Sequence, residues 1–371
     1  MDFEFNGPEL RLARIFNGFA LEEVADSLGK TRQYLHKLES GISTPTTQLL
    51  KELAFVLNVE PEFLVKAYEP TINEEQFHFR KLFTTRALIK QQAMAHGELI
   101  ARLVGYLDSE LKFPELRIPE INGLQTIDEI ERAAERCRHE WGLGLGPITN
   151  MSRLAENLGA VVTSFQSTSK EIDAMSVALK RPIIVRNESK ESVCRQRFDI
   201  GHELGHFVLH SGVTTGDRVT ENQANRFASA LLIPRTMMLK LFPKPRGSRL
   251  DWAGLREFKL TWKVSKAAIL YRARQLDLLS DGQYKTGVIT LKRDGNAVGE
   301  REDNLIPPEI PELLSNSLLV LANKKSIYAE EIAHKLAIKP SLLRRILGFD
   351  LPTRPETSPL IVKRPELYLV G

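Results

Sequence analysis

The chemistry-bearing residues of this sequence are concentrated in "DIGHELGHFVLH", residues 199–210, which holds three of its eight histidines. His202 and His206 stand four apart, so on a helix their imidazoles share one face about a turn from each other. Two imidazole nitrogens at that spacing can reach one metal ion at about 2.0–2.1 Å. Glu203, one residue further round, lies beside such an ion rather than on it and can take a proton from an attacking water. A hydrolytic site of this kind needs a third protein ligand and one open position. Glu221, in "ENQANRFASALLIP", is the leading candidate. With Ala224, Phe227, Ala228 and Leu231 it recurs at helical spacing on an inward face, where an unpaired carboxylate would be costly and a metal would be its partner. Asp217 and His210 compete for the same role. Asn225 is placed to hydrogen-bond a ligand from outside. The metal expected is Zn2+, with Mn2+ or Fe2+ also suited to imidazole and carboxylate donors.

The elements around the histidines must bring Glu221 back to them across a short connection. Upstream, "MSRLAENLGAVVTSFQ" reads as helix then strand, and "AMSVAL" and "PIIVRN" as short β-branched strands. "TIDEIERAAERCRHEWGL" reads as a helix opened by a capping box of Thr126 and Glu129. A helical pattern runs from about 77 to 112 and closes at "FPELRIPEING". After the site, "TGVITLKRDGNAVGE" predicts a strand or hairpin turning at Asp294-Gly295. The Pro-rich "NLIPPEIPE" then leads to "SIYAEEIAHKLAIKPSLLRRILGF", a helical segment with a helix-turn-helix rhythm of its own.

The first sixty residues pose a different chemistry. "LEEVADSLG" puts Leu21, Val24, Ala25 and Leu28 on one face, and Gly29 ends that helix. "TRQYLHKLESG" starts a second helix with Thr31 as N-cap and Leu35 and Leu38 turned inward. Arg32, Gln33, Tyr34 and Lys37 are left facing outward or partly so, where a helix lying in a major groove meets base edges and phosphates. Residues 1–66 hold seven Lys/Arg against ten Asp/Glu, although Lys30, Arg32 and Lys37 gather without an acid among them. A protein-interaction domain of the same fold is the alternative to DNA binding. The most basic stretch is 235–274, with eleven Lys/Arg against Asp251 and Glu257. It reads as a solvated face, a second contact to DNA phosphates or a dock for an acidic protein.

Two resemblances follow from these residues. "ALEEVADSLGKTRQYLHKLESGISTP" resembles the phage-repressor-type (XRE, Cro-like) helix-turn-helix domain. That resemblance implies DNA contacts by Thr31, Arg32, Gln33 and Lys37. "CRQRFDIGHELGHFVLH" followed by "ENQANRFASALLIP" resembles the ImmA/IrrE metallo-endopeptidases, which act on helix-turn-helix repressors. The similarity runs from about 128 to 275. It implies His202, His206 and Glu221 as zinc ligands and Glu203 as general base; Gly201 stands where that family more often has Ala.

At 371 residues, with 42% hydrophobic and 26% charged residues, the chain is long enough for two or three cores. The fold class expected is α+β, mainly α with a small β-sheet. The division expected is a helix-turn-helix domain at 8–67, a helical linker at 68–125, a metallopeptidase domain at 126–280 and a C-terminal hairpin plus helical module at 281–371. Two well-separated cysteines exclude a disulfide scaffold, and no apolar run spans a bilayer, so a cytoplasmic location is expected without membrane contact. The leading function is a DNA-binding regulator with a zinc endopeptidase that cleaves a helix-turn-helix repressor. Its partners are then a double-stranded operator, that repressor and a second copy in a homodimer. The alternative is a regulator whose metal domain senses a ligand or acts as a scaffold.

Overall fold

Helix signals at the N-terminus are realised as a chain of short capped helices. The structure, a computed structural model, describes residues 4–65, 72, 76–79, 87–165, 174–187, 192–247, 249–295, 299–352 and 354. α1 (Gly7–Asn17) begins at Asn6, whose side chain accepts from Glu9 N. α2 (Leu21–Ser27) and α3 (Arg32–Glu39) are joined by a tight turn, and Thr31 caps α3 through Tyr34 N at 3.2 Å. α4 (Thr47–Val56) and a 3-10 turn at Pro61–Leu64 complete the module. Leu10, Val24, Leu35, Leu38 and Leu53 are buried at its centre. Arg14 ties α1 to α3 through both carboxylate oxygens of Glu39, at 2.5 and 3.0 Å.

A four-stranded sheet stands next to this module, formed by β1 (Phe77–Phe79), β2 (Val161–Phe165), β3 (Ala174–Val177) and β4 (Ile183–Asn187) in the order β1-β3-β4-β2. β1 and β4 both run antiparallel to β3, whereas β2 runs parallel to β4. Alternation along the strands divides their side chains between two cores. Val161, Met175, Val177, Ile183 and Val185 share one core with the N-terminal helices and with α5 (Ala87–Glu110). Arg102 of α5 grips Glu9 of α1 with two bonds of 2.7 and 2.8 Å. Val162 and Ile184 face the other core, built from α6 (Ile127–Glu140), α7 (Met151–Asn157), α8 (Val193–Leu209) and α9 (Arg218–Leu232). α10 (Arg235–Leu241), α11 (Trp252–Trp262), α12 (Lys266–Gln275) and α13 (Asp281–Arg293) extend that second core. The Thr126–Glu129 capping box opens α6 as the spacing predicts.

The C-terminal helices α14 (Leu313–Lys325), α15 (Ala329–Lys335) and α16 (Pro340–Leu347) return to the first core. The turn between α15 and α16 docks on the turn after α4 in a reciprocal way. Val59 pairs with Ile338 as an antiparallel bridge. Glu60 N donates to Ala337 O at 2.9 Å and Lys339 N donates to Asn58 O at 3.2 Å. The Pro-rich connector is pinned by Glu309, which is buried, accepts from Met151 N at 2.6 Å and pairs with Arg197.

The fold class, mainly α with a small sheet, is as expected, but two elements differ. The segment at Phe77–Phe79 is a strand rather than the start of a helix, because β3 offers it an open edge; the helix begins at Ala87. The expected hairpin at "TGVITLKRDGNAVGE" is not formed. Its first part is the end of α13, opened by Ser280 and Gln283 in a capping box that outweighs the β-branched Val288-Ile289-Thr290 run. Asp294 and Gly295 end this helix, Gly295 with φ of 72°; residues 296–298 lie outside the described ones. The basic stretch is also partly internal. Lys259 is buried against Glu300 and Asp303, Lys266 against Glu302 and Arg272 against Glu131. No described helix is long and apolar enough to cross a membrane.

Candidate metal centre

α8 carries the histidines and is buried along most of its length, held between the sheet and α9. His202, Glu203, His206 and His210 are each no more than 3% exposed. The 210–217 turn is short, and Asp217 closes it as N-cap of α9, accepting from Val219 N at 2.6 Å and Thr220 N at 3.2 Å. One turn later, α9 delivers Glu221 to the α8 imidazoles. Its carboxylate oxygens lie 3.4 Å from His202 Nε2 and 3.3 Å from His206 Nε2. Among the described residues these three form a group whose ligand atoms all fall within 4.8 Å of one another. Of the three candidates for the third place, the structure brings Glu221 into the group. Asp217 serves as a helix cap, and His210 lies behind His206.

The surrounding hydrogen bonds settle which nitrogens face the group. Gln223 Nε2 donates to Leu124 O at 3.1 Å, which turns its Oε1 toward His210 Nε2 at 2.8 Å. His210 therefore donates from Nε2 and accepts at Nδ1, where His206 Nδ1 lies 3.0 Å away and donates. On the other imidazole, His202 Nδ1 donates to Asn225 Oδ1 at 3.1 Å. Both Nε2 atoms are left as lone pairs, 3.0 Å apart, beside a carboxylate. Two facing lone pairs and an anion repel each other unless a cation lies among them. Burial outweighs the Glu221 contacts and lowers His206 to about 3, which keeps its imidazole neutral. Glu221 Oε1 is buried without a hydrogen-bond donor. This donor set suits a divalent metal ion.

Two further side chains border the group. Ser176 of β3 donates to Glu203 Oε2 and anchors that carboxylate beside the imidazoles. His78 of β1 stacks on His206, with ring centroids 5.2 Å apart and planes 8° from parallel, and its Nδ1 lies 2.6 Å from Thr215 Oγ1. A cleft of about 340 Å³ opens here, lined by His78, Ile118, Leu179, His206, Phe207 and Val213.

Comparison with known families agrees with this architecture. Residues 155–274 match the IrrE N-terminal-like domain, a metallopeptidase family, and residues 10–64 match the helix-turn-helix family. The chain carries both modules in one polypeptide. No curated protein matches it. The IrrE-like match contains α8, α9 and the whole His202, His206 and Glu221 group; β1 and α5 fall outside both matches.

The helix-turn-helix match supports binding to double-stranded DNA. Thr31, Arg32, Gln33 and Lys37 are all exposed on α3 or at its start, together with His36. Arg32 lies 3.9 Å from Glu22 across the turn, with both side chains about two-thirds exposed. Sequence reasoning passed over His78, Ser176, Thr215 and Gln223 in the IrrE-like site. Phe77-His78-Phe79 is too short a run for its alternation to mark a strand in the sequence.

Proposed function

We propose that the chain is a DNA-binding regulator whose IrrE-like domain is a Zn2+-dependent endopeptidase, with Mn2+ or Fe2+ as alternative ions, and that it cleaves a helix-turn-helix repressor. The observation that carries this reading is the convergence of His202 Nε2, His206 Nε2 and the Glu221 carboxylate beside Glu203. In this reading His202, His206 and Glu221 hold the ion, and Asn225 orients His202. The ion, when bound, supplies Lewis acidity to a scissile carbonyl and to water. Glu203 takes the proton of the attacking water on one oxygen, while Ser176 holds the other in place, and then returns it to the leaving amine.

Thr31, Arg32, Gln33 and Lys37 contact the operator in this proposal, and the DNA-binding module brings the peptidase to proteins seated on DNA. The divisions at 8–67, 68–125, 126–280 and 281–371, the homodimer and the cytoplasmic location belong to the same proposal. The test is to incubate the zinc-loaded chain and its Glu203→Gln variant with purified helix-turn-helix repressors and measure metal content in parallel. Cleavage that disappears in the variant at unchanged metal content supports the endopeptidase. If the zinc-loaded parent cuts no repressor while its operator affinity changes with metal, the domain is a sensor and the endopeptidase reading fails.

A further inference from the structure

The strand β1 comes from the segment between the two matched domains, yet it runs directly beside the metal-binding group. β3 is the strand that faces the site, since its Ser176 donates to Glu203. The outer edge of β3 is where an extended peptide would add to the sheet by main-chain hydrogen bonds, the usual way that an edge takes up a peptide. Phe77–Phe79 already lie along it, antiparallel, with His78 opposite Ser176. Ala178 N donates to Gln76 O at 2.7 Å, and Gln76 Nε2 to Ala178 O at 3.2 Å.

Both faces of β1 are fitted. Phe77 is 4% exposed and sits over Gly97 of α5, where an added Cβ would come within 2.7 Å of its ring. Glycine at that position is what allows α5 to close on the strand. His78 points the opposite way, as alternation requires, and lies flat on His206 with its edge toward Phe207. Three residues thus pair with the strand at the site, fill an apolar recess and cover a ligand-bearing imidazole, which are the contacts an extended substrate would make.

We propose that the outer edge of β3 is the peptide-binding edge of the metal site, and that Gln76–Phe79 occupy it in cis as a tethered stand-in for substrate. The inference rests on the endopeptidase reading for the use of that edge, but not on any turnover. An incoming substrate is an extended segment that competes with β1, with an aromatic side chain for the recess over Gly97 and a flat ring over His206.

The experiment uses the full zinc-loaded chain carrying Glu203→Gln, with a fluorescein-labelled peptide of residues 74–81 as the probe and fluorescence anisotropy as the readout. Two changes loosen β1 and leave His202, His206 and Glu221 in place. His78→Pro removes a main-chain donor from a strand at the sheet edge. Phe77→Ala takes the ring of β1 out of the recess over Gly97 and leaves that recess open to the aromatic side chain of the probe. If β1 holds the edge about nine-tenths of the time, either change tightens probe binding about tenfold. Should His78→Pro melt early by circular dichroism, Phe77→Ala carries the test.

Unchanged probe affinity in a folded Phe77→Ala variant overturns the proposal. So does a fall in hydrolysis of labelled casein when the same change is made with Glu203 intact, since β1 would then be a fixed part of the active site. A parent chain that hydrolyses nothing counts against the endopeptidase alone, because anisotropy reports the edge without cleavage.

Discussion

Gln223 never touches the metal-binding group, yet its side chain decides which nitrogen of His206 faces it. Its amide is oriented by Leu124 O, its Oε1 takes the His210 Nε2 proton, and His210 Nδ1 then accepts from His206 Nδ1. With Gln223→Ala, His210 is free to carry its proton on Nδ1. That proton would point at His206 Nδ1 and favour the His206 tautomer whose Nε2 bears hydrogen and cannot bind a metal. Losing an outer partner of this kind costs about 10- to 100-fold in metal affinity, or roughly 1.4–2.8 kcal/mol at 1.4 kcal/mol per decade. A zinc titration against a chromophoric chelator measures the loss directly. Gln223→Glu supplies an acceptor at the same place and is expected to recover most of it. Equal zinc affinity in wild type and Gln223→Ala would refute the relay and leave His210 a packing residue.

Three other expectations follow from the structure. Burial holds His96 neutral, lowered to about 4 from an ordinary 6.5. A base whose folded value is depressed stabilises the fold fully above pH 6.5 and loses that contribution as pH falls toward 4. By pH 5 about 2 kcal/mol of it is gone, and urea melts at pH 7.5 and 5 should show a loss smaller by about that amount in His96→Phe than in wild type. Arg32→Ala and Lys37→Ala should weaken operator binding, and each lost phosphate contact should flatten the slope of log K against log salt by roughly one; an unchanged slope and affinity in both would remove α3 from the groove. Glu131 is buried between Arg272 and Arg226, so Glu131→Gln should cost about 3–5 kcal/mol by stranding the two guanidiniums, seen as an early chemical melt.

The helical part of the site was legible because periodicity alone says which side chains share a face. His202 and His206 four apart, and Glu221 in line with Ala224 and Phe227, needed no knowledge of the neighbouring sheet. His78 was illegible for the opposite reason. Three residues are too few to show a period, and an edge strand exists only where a partner edge waits for it. The His210–Gln223 bond depends on how α8 and α9 lie together, which no local pattern records. Val288-Ile289-Thr290 misled because β-branching was weighed without the Ser280–Gln283 start signal eight residues upstream. On α3 the split between buried Leu35 and Leu38 and exposed Arg32, Gln33 and Lys37 follows directly from spacing.

The reciprocal pairing of Asn58 and Val59 with Ala337 and Ile338 joins positions about 280 residues apart. During synthesis at 5–20 residues per second, the N-terminal module waits on the order of tens of seconds for the surface that covers it. The IrrE-like domain is made in between. The module therefore reaches its final packing only on a polypeptide that already contains the metal centre, and a chain broken off before Ala329 leaves the turn after α4 bare. The clasp thus ties the final packing of the helix-turn-helix module to the presence of α15 and α16.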